Sequence, residues 1–312
     1  MSGVLAILCS GQGGQHREMF ALLADAPEAQ PVFEAARPLL GGVDPRQLVE
    51  TADEATLFGN RFGQILCCTQ AMAAWAVLGD ALPPRIVLAG YSVGELASWG
   101  CAGVLPPDVV LELAARRAGL MDEDASAIPG GGGLAAIVGL RRPALERLLC
   151  DTGSFLAIDN AADSVVVGGA AGELERCLAG AAAANGGVKV KRLRVAVPSH
   201  TPLLDHAAAR FGRMLSDIPR GGIADGIRLL SGIDADTVRD TADGFAKLSM
   251  QIATTIRWKD CLQSCLEAGA TRFLELGPGE ALSRMVGGTE AEARAVEQFR
   301  TLDGVRDWLR RG

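Results

Sequence analysis

The fold of this chain is decided by the stretch Ile86-Val87-Leu88-Ala89-Gly90-Tyr91-Ser92-Val93-Gly94-Glu95-Leu96-Ala97-Ser98-Trp99. Its first four residues are apolar, which is typical of a buried strand, and the residues after Gly94 suit a helix. The G-x-S-x-G pattern between them predicts a nucleophile elbow, in which glycines allow a tight turn that exposes the serine hydroxyl. The stretch therefore predicts an α/β fold with Ser92 as a nucleophile. The alternative is an ordinary glycine-rich turn.

Composition limits the classes of protein that the chain can belong to. The length of 312 residues is enough for two domains or for one large domain with an insertion. With 49% hydrophobic and 21% charged residues, the chain can form a substantial core. The net charge of −7 argues against nonspecific binding of nucleic acid. We see no basic leader and no apolar run of about 18 residues, so we expect a cytoplasmic protein outside the membrane. The eight cysteines form no C-x-x-C pair, so we expect no metal site.

Two patterns of predicted elements follow one another along the chain. Strand candidates such as Val4–Cys9 first alternate with helix candidates, which predicts a parallel sheet covered by helices. After a glycine run that ends at Gly133, the order becomes strand-helix-strand-strand-helix-strand, which is ferredoxin-like. Pro198 marks the return to the first pattern. We therefore predict a large hydrolase-like α/β domain from residues 1–129 and 198–312, with an inserted ferredoxin-like α+β small domain from residues 130–197.

A serine nucleophile needs a base, and the chain offers three histidines, His16, His200 and His206. His200 lies between Pro198 and Pro202, where the predicted insertion rejoins the large domain. A stiff loop at a domain junction favours a catalytic role for His200, and the alternative is a structural histidine. His206 falls in a predicted helix and suits a surface or packing position. His16 follows a glycine-rich turn and suits either the site or solvent.

Three further stretches are candidates for binding. The loop Gly11–Gln15 matches neither common phosphate-binding pattern, so it is either a set of hydrogen-bond donors at a crevice or a plain turn. Arg116 and Arg117 interrupt an apolar helix, where an arginine is costly unless it meets an anion; the alternative is that both extend into solvent. The run Lys189–Arg194 is either the solvated face of an edge strand or a dock for an acidic partner.

Seven segments, taken in order, carry a resemblance to a known family. They are Ser10–Gln15, Gly90–Glu95, Arg117, Asn160 with Ser164–Gly169, Val197–His200, Gln251 with Trp258, and Glu275–Gly279. In these segments the chain resembles the malonyl-CoA:acyl carrier protein transacylases over most of its length. Tyr91 replaces the histidine that this family usually has before the serine. With Tyr91 and the residues that follow, the chain looks most like the transacylase subunit of bacterial malonate decarboxylase.

The resemblance implies a ping-pong transfer in which His200 takes the proton of Ser92, and Ser92 attacks the thioester of malonyl-CoA. Coenzyme A leaves, and the phosphopantetheine-type thiol of an acyl carrier protein takes the malonyl group from the serine. The resemblance assigns the oxyanion hole to the amides of Gln12 and Val93, the substrate carboxylate to Arg117, and further substrate contacts to Asn160 and Gln251. A backbone carbonyl near Gln251 would orient the histidine. No permanently bound cofactor is implied, and the partners are malonyl-CoA, the carrier protein and possible subunits of malonate decarboxylase.

Three alternatives stay open at this point. The first is a free-standing malonyl transacylase of fatty-acid synthesis. The second is a serine thioesterase or hydrolase, and the third is a docking subunit that has lost activity. An arginine placed for a carboxylate and the lack of an obvious triad acid favour transfer over hydrolysis. The retained Ser92, His200 and Arg117 favour an enzyme over a docking subunit.

Overall fold

The strands of the protein form two separate sheets in the computed structural model, which describes residues 3–184 and 186–311. Met1, Ser2, Asn185 and Gly312, which belong to the predicted domain ranges, lie outside the described residues. The strands are β1 (Val4–Cys9), β2 (Ile86–Gly90), β3 (Gly132–Val138), β4 (Phe155–Ala161), β5 (Ser164–Ala170), β6 (Lys189–Arg192), β7 (Ile227–Leu229), β8 (Ala270–Glu275) and β9 (Glu292–Ala295).

Thirteen α-helices lie in the described part of the chain. They are α1 (Gln30–Ala36), α2 (Pro45–Thr51), α3 (Glu54–Leu57), α4 (Asn60–Leu78), α5 (Val93–Cys101), α6 (Pro107–Ser126), α7 (Arg142–Thr152), α8 (Ala171–Ala182), α9 (Asp205–Ser216), α10 (Thr241–Met250), α11 (Trp258–Glu267), α12 (Ala281–Met285) and α13 (Leu302–Arg310). Short 3₁₀ turns cover Pro27–Ala29, Arg37–Leu40, Gly79–Ala81, Pro202–Leu204 and Val296–Gln298.

The first sheet has five strands in the order β7-β2-β1-β8-β9, and every neighbouring pair is parallel. Strands β1 and β2 in the interior of the sheet are apolar along their whole length, because helices or loops cover both faces of a parallel sheet. This sheet confirms the predicted α/β class. The sequence prediction missed β7 and β9, which are short strands of three and four residues at the two edges.

The second sheet has the antiparallel order β4-β5-β3-β6. Helix α7 connects β3 to β4 and α8 connects β5 to β6, so the predicted strand-helix-strand-strand-helix-strand unit is present. Both helices pack on one face of this sheet, around Leu145, Leu174 and Cys177. The sheet spans residues 132–192 and thus lies within the predicted range 130–197, although the domain boundaries themselves stay a prediction.

The two sheets share a hydrophobic core. Ala6, Leu8 and Val87 from the parallel sheet belong to the same buried cluster as Leu134 and Ile158 from the antiparallel sheet. Backbone hydrogen bonds continue this contact, since the amide of Ile256 donates to the carbonyl of Ala157 at 3.0 Å. The end of β4 is thereby held against the large domain, close to the carboxyl end of β2.

The long helix α4 lies at the centre of the fold. Residues 60–81 are long and apolar enough to cross a membrane by length and composition, yet 78% of the apolar 18-residue stretch within them is buried inside the protein. Its side chains, among them Ile65, Leu66 and Met72, pack into the main core of the large domain. The segment therefore has the packing of a core helix.

Candidate active site

Ser92 occupies a strained turn between β2 and α5. Its φ and ψ angles are 56° and −123°, in a region that a residue with a side chain rarely adopts. The flanking glycines are needed for close packing: a Cβ at Gly90 would lie 2.1 Å from the Cα of Glu95, and one at Gly94 would lie 2.1 Å from the carbonyl oxygen of Cys9. The predicted tight turn between strand and helix is therefore present, and the role of Ser92 as nucleophile stays a prediction.

His200 faces the nucleophile. Its Nε2 lies 2.8 Å from the Oγ of Ser92, and its Nδ1 lies 2.6 Å from the backbone carbonyl oxygen of Gln251. A carbonyl can only accept, so Nδ1 carries the proton and Nε2 is left free to accept the proton of Ser92. This arrangement is the one that the resemblance implied, with a backbone carbonyl in the place of an acidic residue.

The loop around His200 is stiff, as the two prolines predicted. The backbone amide of His200 donates to the carbonyl of Ile252 at 2.7 Å, and the hydroxyl of Thr201 donates to the carbonyl of Pro198 at 2.7 Å. Burial, and secondly the charge of Arg117, lower the pKa of His200 to about 3. The imidazole is therefore neutral at physiological pH and available as a base.

The loop after β1 closes over the elbow. A Cβ at Gly11 would lie 3.3 Å from the Cβ of Ser92, so the residue before Gln12 is packed directly against the nucleophile. The side chain of Gln12 is anchored away from it, through a hydrogen bond from Nε2 to the carbonyl of Asn60 at 3.3 Å. Val93 begins helix α5, where the first backbone amides have no partner within the helix. Both positions flank Ser92, and their role as oxyanion donors stays a prediction.

Arg117 is buried, with 1% of its surface exposed, whereas Arg116 lies on the surface and pairs with Glu112. The Nη1 of Arg117 donates to the Oε1 of Gln64 at 2.7 Å, and its Nη2 donates to the Oε1 of Gln251 at 3.1 Å. No carboxylate pairs with its guanidinium in the described part of the chain. Burial lowers its pKa to about 10, so it stays charged at neutral pH. Of the two alternatives for this helix, extension into solvent holds only for Arg116.

Gln251 connects these groups. Its Nε2 donates to the backbone carbonyl of Ser92 at 3.0 Å and to the Oε2 of Glu95 at 2.6 Å, while its Oε1 accepts from Arg117. Its own backbone carbonyl accepts from His200. One residue thus touches the nucleophile, the base and the buried arginine. Whether its side chain also contacts substrate stays a prediction.

Glu95 is a site residue that sequence reasoning did not single out. It is 1% exposed, and its Oε2 accepts from the backbone amide of Gly232 at 3.0 Å as well as from Gln251. The sequence signal was present, since an acidic residue stands in an otherwise apolar helix directly after Gly94. No local sequence pattern indicates that Gly232 contacts Glu95 or that Gln64 contacts Arg117.

Asn160 lies beside the residue that distinguishes this elbow. Its side chain hydrogen-bonds the hydroxyl of Tyr91, while its Oδ1 is buried with no protein partner among the described residues. The ring of Tyr91 packs edge-on against Trp258, with 5.2 Å between centroids. Tyr91 thus links the elbow to the small sheet, and the open acceptor on Asn160 is compatible with the substrate contact predicted for it.

The basic run forms the edge strand β6, as one of its two alternatives predicted. Arg192 pairs with Glu175, and Arg194 pairs with Glu54 at 3.4 Å. Lys189 and Lys191 are exposed and have no ion pair in the residues that the structure describes. The unpaired charge of this strand therefore resides on its two lysines.

The other two histidines lie away from the dyad. His16 pairs with Glu297, with 2.7 Å between Nε2 and Oε2, and His206 is exposed on α9. Neither has a hydrogen bond to Ser92, whose hydroxyl faces His200. Of the three histidines, His200 is the one within hydrogen-bond distance of Ser92 among the described residues, and its role as base stays a prediction.

The site combines a serine on a strained turn, a neutral histidine held by a carbonyl, and a buried arginine that pairs with no carboxylate in the described residues, an arrangement expected of an acyltransferase. The chain belongs to the acyl transferase domain family, whose model matches residues 7–303. It is 28% identical over 292 residues to the malonyl CoA-acyl carrier protein transacylase of Bacillus subtilis, covering 90% of this chain and 89% of that protein. It is 31% identical to the polyketide synthase GfsB of Streptomyces halstedii over 90% of this chain, which spans only 5% of that much longer protein.

Solved structures agree with these relatives. The malonyl-CoA:acyl carrier protein transacylase of Xanthomonas oryzae matches with a TM-score of 0.89 and 28% identity, covering 100% of this chain and 99% of that one. A malonyl-transacylase solved with the acyl carrier protein of a type II polyketide synthase matches with a TM-score of 0.88 and 26% identity, covering 98% and 99%. These comparisons confirm the resemblance to the malonyl-CoA:acyl carrier protein transacylases, while the closer likeness to the malonate decarboxylase subunit stays a prediction.

Proposed function

We propose that this protein transfers a malonyl group from malonyl-CoA to the phosphopantetheine-type thiol of an acyl carrier protein, through a malonyl ester of Ser92. One observation carries the proposal: the guanidinium of Arg117 is buried, pairs with no carboxylate among the residues that the structure describes, and is joined through Gln251 to the Ser92–His200 pair. A malonyl group bound to Ser92 carries one carboxylate, which is the ion that such a guanidinium binds best.

The residues supply each step of the transfer. The Nε2 of His200 takes the proton of Ser92 while the Oγ forms a bond to the thioester carbonyl carbon. The amides of Gln12 and Val93 stabilise the negative oxygen, the carbon–sulfur bond breaks, and the proton passes from His200 to the leaving thiol. The carrier thiol then reverses these steps: it gives its proton to His200, attacks the serine ester and leaves with the malonyl group.

The relatives support the same reaction. Those named above include malonyl CoA-acyl carrier protein transacylases and a malonyl-transacylase bound to an acyl carrier protein. The reaction requires only the malonyl thioester, the carrier thiol and the protein's own residues, so the proposal includes no permanently bound cofactor. It also includes a cytoplasmic location, which rests on composition alone.

We further propose that the enzyme serves a malonate decarboxylase system, with other subunits of that system as partners. This finer proposal is supported by Tyr91 and the residues after it, where the sequence resembles the transacylase subunit of those systems. The alternative is a free-standing enzyme of fatty-acid synthesis. Measuring malonyl transfer to the carrier proteins of both systems separates them, because the natural carrier should give the higher kcat/KM.

The experiment that tests transfer against hydrolysis is the lifetime of the malonyl-enzyme. We expect the ester on Ser92 to persist in buffer and to disappear rapidly when carrier thiol is added. A hydrolase would lose the ester at the same rate with and without the thiol.

A further inference from the structure

We propose that Glu95 is a positioning residue that acts through Gln251, fixing in one orientation the side-chain amide that joins Ser92 to Arg117. The inference rests on the proposed acyl transfer through Ser92 and deepens it. It assigns a task to a buried carboxyl group that the reaction steps do not use. Glu95 contacts none of the reacting atoms, so its effect has to pass through a neighbour.

The carboxylate of Glu95 is held at a fixed point. Its Oε2 accepts from the backbone amide of Gly232 at 3.0 Å and from the Nε2 of Gln251 at 2.6 Å. The lack of a side chain at position 232 makes this possible, because a Cβ there would lie 2.6 Å from the same oxygen. Three separate segments, α5, the loop after β7 and the residue after α10, therefore meet at one carboxylate oxygen.

A carboxylate at this point allows only one orientation of the Gln251 amide. The Nε2 faces two acceptors, Glu95 and the backbone carbonyl of Ser92, and the Oε1 faces a donor, the Nη2 of Arg117. Rotating the amide by 180° would set its oxygen against the carboxylate and its NH₂ group against the guanidinium. Both contacts would be repulsive and buried, so the observed orientation is strongly preferred.

Two functional groups, Ser92 and Arg117, depend directly on that orientation. The carbonyl of Ser92 accepts from Gln251 and from the amide of Glu95, both at 3.0 Å, and these bonds hold the strained backbone of the nucleophile. The backbone carbonyl of Gln251 holds His200, and its Oε1 restricts Arg117. A looser side-chain amide at position 251 would therefore disturb Ser92 and Arg117 together, while the backbone carbonyl of Gln251 would still hold His200.

The charge of Glu95 strengthens this hold. Burial raises the pKa of Glu95 to about 7. Among the titratable groups that face it, Arg117 favours the ionised form of Glu95 and Asp234 opposes it. The charge of Glu95 in turn raises the pKa of the Cys261 thiol. Hydrogen bonds to an ionised acceptor are about twice as strong as those between neutral groups. We therefore expect the ionised form of Glu95 to hold Gln251 more firmly than the protonated form.

The test is a double-mutant cycle on the reactivity of Ser92. Glu95→Gln keeps an oxygen for Gly232 and Gln251 but removes the charge, and Gln251→Ala keeps the backbone carbonyl for His200 but removes the amide. The probe is a fluorophosphonate ester, which reacts with an activated serine and needs no acyl donor. The matched control is Asp124→Asn. Like Glu95, Asp124 accepts a hydrogen bond from a backbone amide, that of Ala207 at 2.7 Å, but it lies at the contact between α6 and α9.

We expect Glu95→Gln to slow labelling about 3- to 10-fold and Gln251→Ala about 10- to 100-fold. The double variant should label no more slowly than Gln251→Ala alone, since Glu95 has no effect once the amide is gone. Asp124→Asn should stay within about twofold of the unmodified protein. Multiplying effects in the double variant, or an unchanged rate in Glu95→Gln, would overturn the proposal.

A pH profile gives a second reading that does not depend on folding of the Glu95 variant. Because His200 is neutral above about pH 3, the labelling rate of the unmodified protein should rise about 3- to 10-fold through pH 7 as Glu95 ionises. The rise should be absent in Gln251→Ala, and its persistence there would contradict the proposal. Failure of the proposed function shows differently, as a protein that reacts with the fluorophosphonate but takes no malonyl group.

Discussion

The guanidinium of Arg117 and the side-chain amide of Gln251 are joined by a hydrogen bond of 3.1 Å, and this contact joins the proposed carboxylate-binding group to the proposed catalytic pair. Gln251 holds both the nucleophile and the base, so a ligand carboxylate that draws on Arg117 acts on the same unit that performs the chemistry. Malonyl and acetyl groups differ only by that carboxylate. Arg117 is therefore where selectivity should be lost first.

Arg117→Ala should lower kcat/KM for malonyl-CoA by about 10- to 150-fold, because a hydrogen bond to a charged group is worth about 1.5–3 kcal/mol. Acetyl-CoA lacks the carboxylate, so its kcat/KM should fall far less. The measurement is the malonyl-to-acetyl ratio of kcat/KM. Arg116→Ala is the control, since Arg116 lies on the surface and pairs with Glu112. An unaltered ratio in Arg117→Ala would mean that another group holds the carboxylate.

His200→Ala should slow acylation of Ser92 by about 10²- to 10⁴-fold, the usual contribution of a general base. The imidazole lies 2.8 Å from the hydroxyl, and no other histidine reaches it in the described part of the chain. Stopped-flow measurement of coenzyme A release in the first turnover reports this step. His206→Ala, on the exposed face of α9, should leave the rate within about twofold. A large loss in His206→Ala would contradict the assignment of the base.

The buried Glu95 should make stability depend on pH. Its folded-state pKa of about 7 lies above the ordinary value of 4.5, so the folded protein binds a proton that the unfolded chain releases between these values. Ionised Glu95 therefore opposes folding above pH 7, by roughly 3 kcal/mol, and this penalty disappears as the pH falls towards 4.5. Glu95→Gln should raise the free energy of unfolding at pH 8 and have little effect at pH 5. Urea titrations at both pH values check this, and an equal effect at both would be inconsistent with the raised pKa.

Lys189 and Lys191 should contribute to docking of an acidic carrier protein. In the basic run Lys189–Arg194, these two lysines have no ion pair with the described residues, whereas Arg192 and Arg194 pair with Glu175 and Glu54. Changing both lysines to serine should raise KM for the carrier about threefold or more and weaken its salt dependence. Acylation by malonyl-CoA should be unaffected. Arg310→Ser in the last helix is the control, and an unchanged KM in the lysine variant would leave β6 as a plain solvated edge.

Local sequence patterns predicted much of this fold because the elbow and the ferredoxin-like unit depend on short-range features. Gly90 and Gly94 permit the turn, and apolar runs mark β1, β2 and β5. Strands β7 and β9 carry too few residues for a pattern and exist because they pair with neighbouring strands. Their detection requires the tertiary structure.

The site divides in the same way. Ser92, His200 and Arg117 stand in segments that resemble a family, so the sequence was enough to predict them as site residues. The network of Glu95, Gln251 and Gly232 joins residues that are 137 and 156 positions apart in the chain. No periodicity encodes a contact over such a distance, so it became visible only in the structure.

The central claim, that Ser92 carries the acyl group, is tested most directly by mass spectrometry after mixing the protein with malonyl-CoA. We predict a mass gain of one malonyl group, located by peptide mapping on Ser92 and lost again when carrier thiol is added. The Ser92→Ala variant should show no gain and no transfer. A malonyl group found on a cysteine or on another serine, or transfer that continues in Ser92→Ala, would contradict the account.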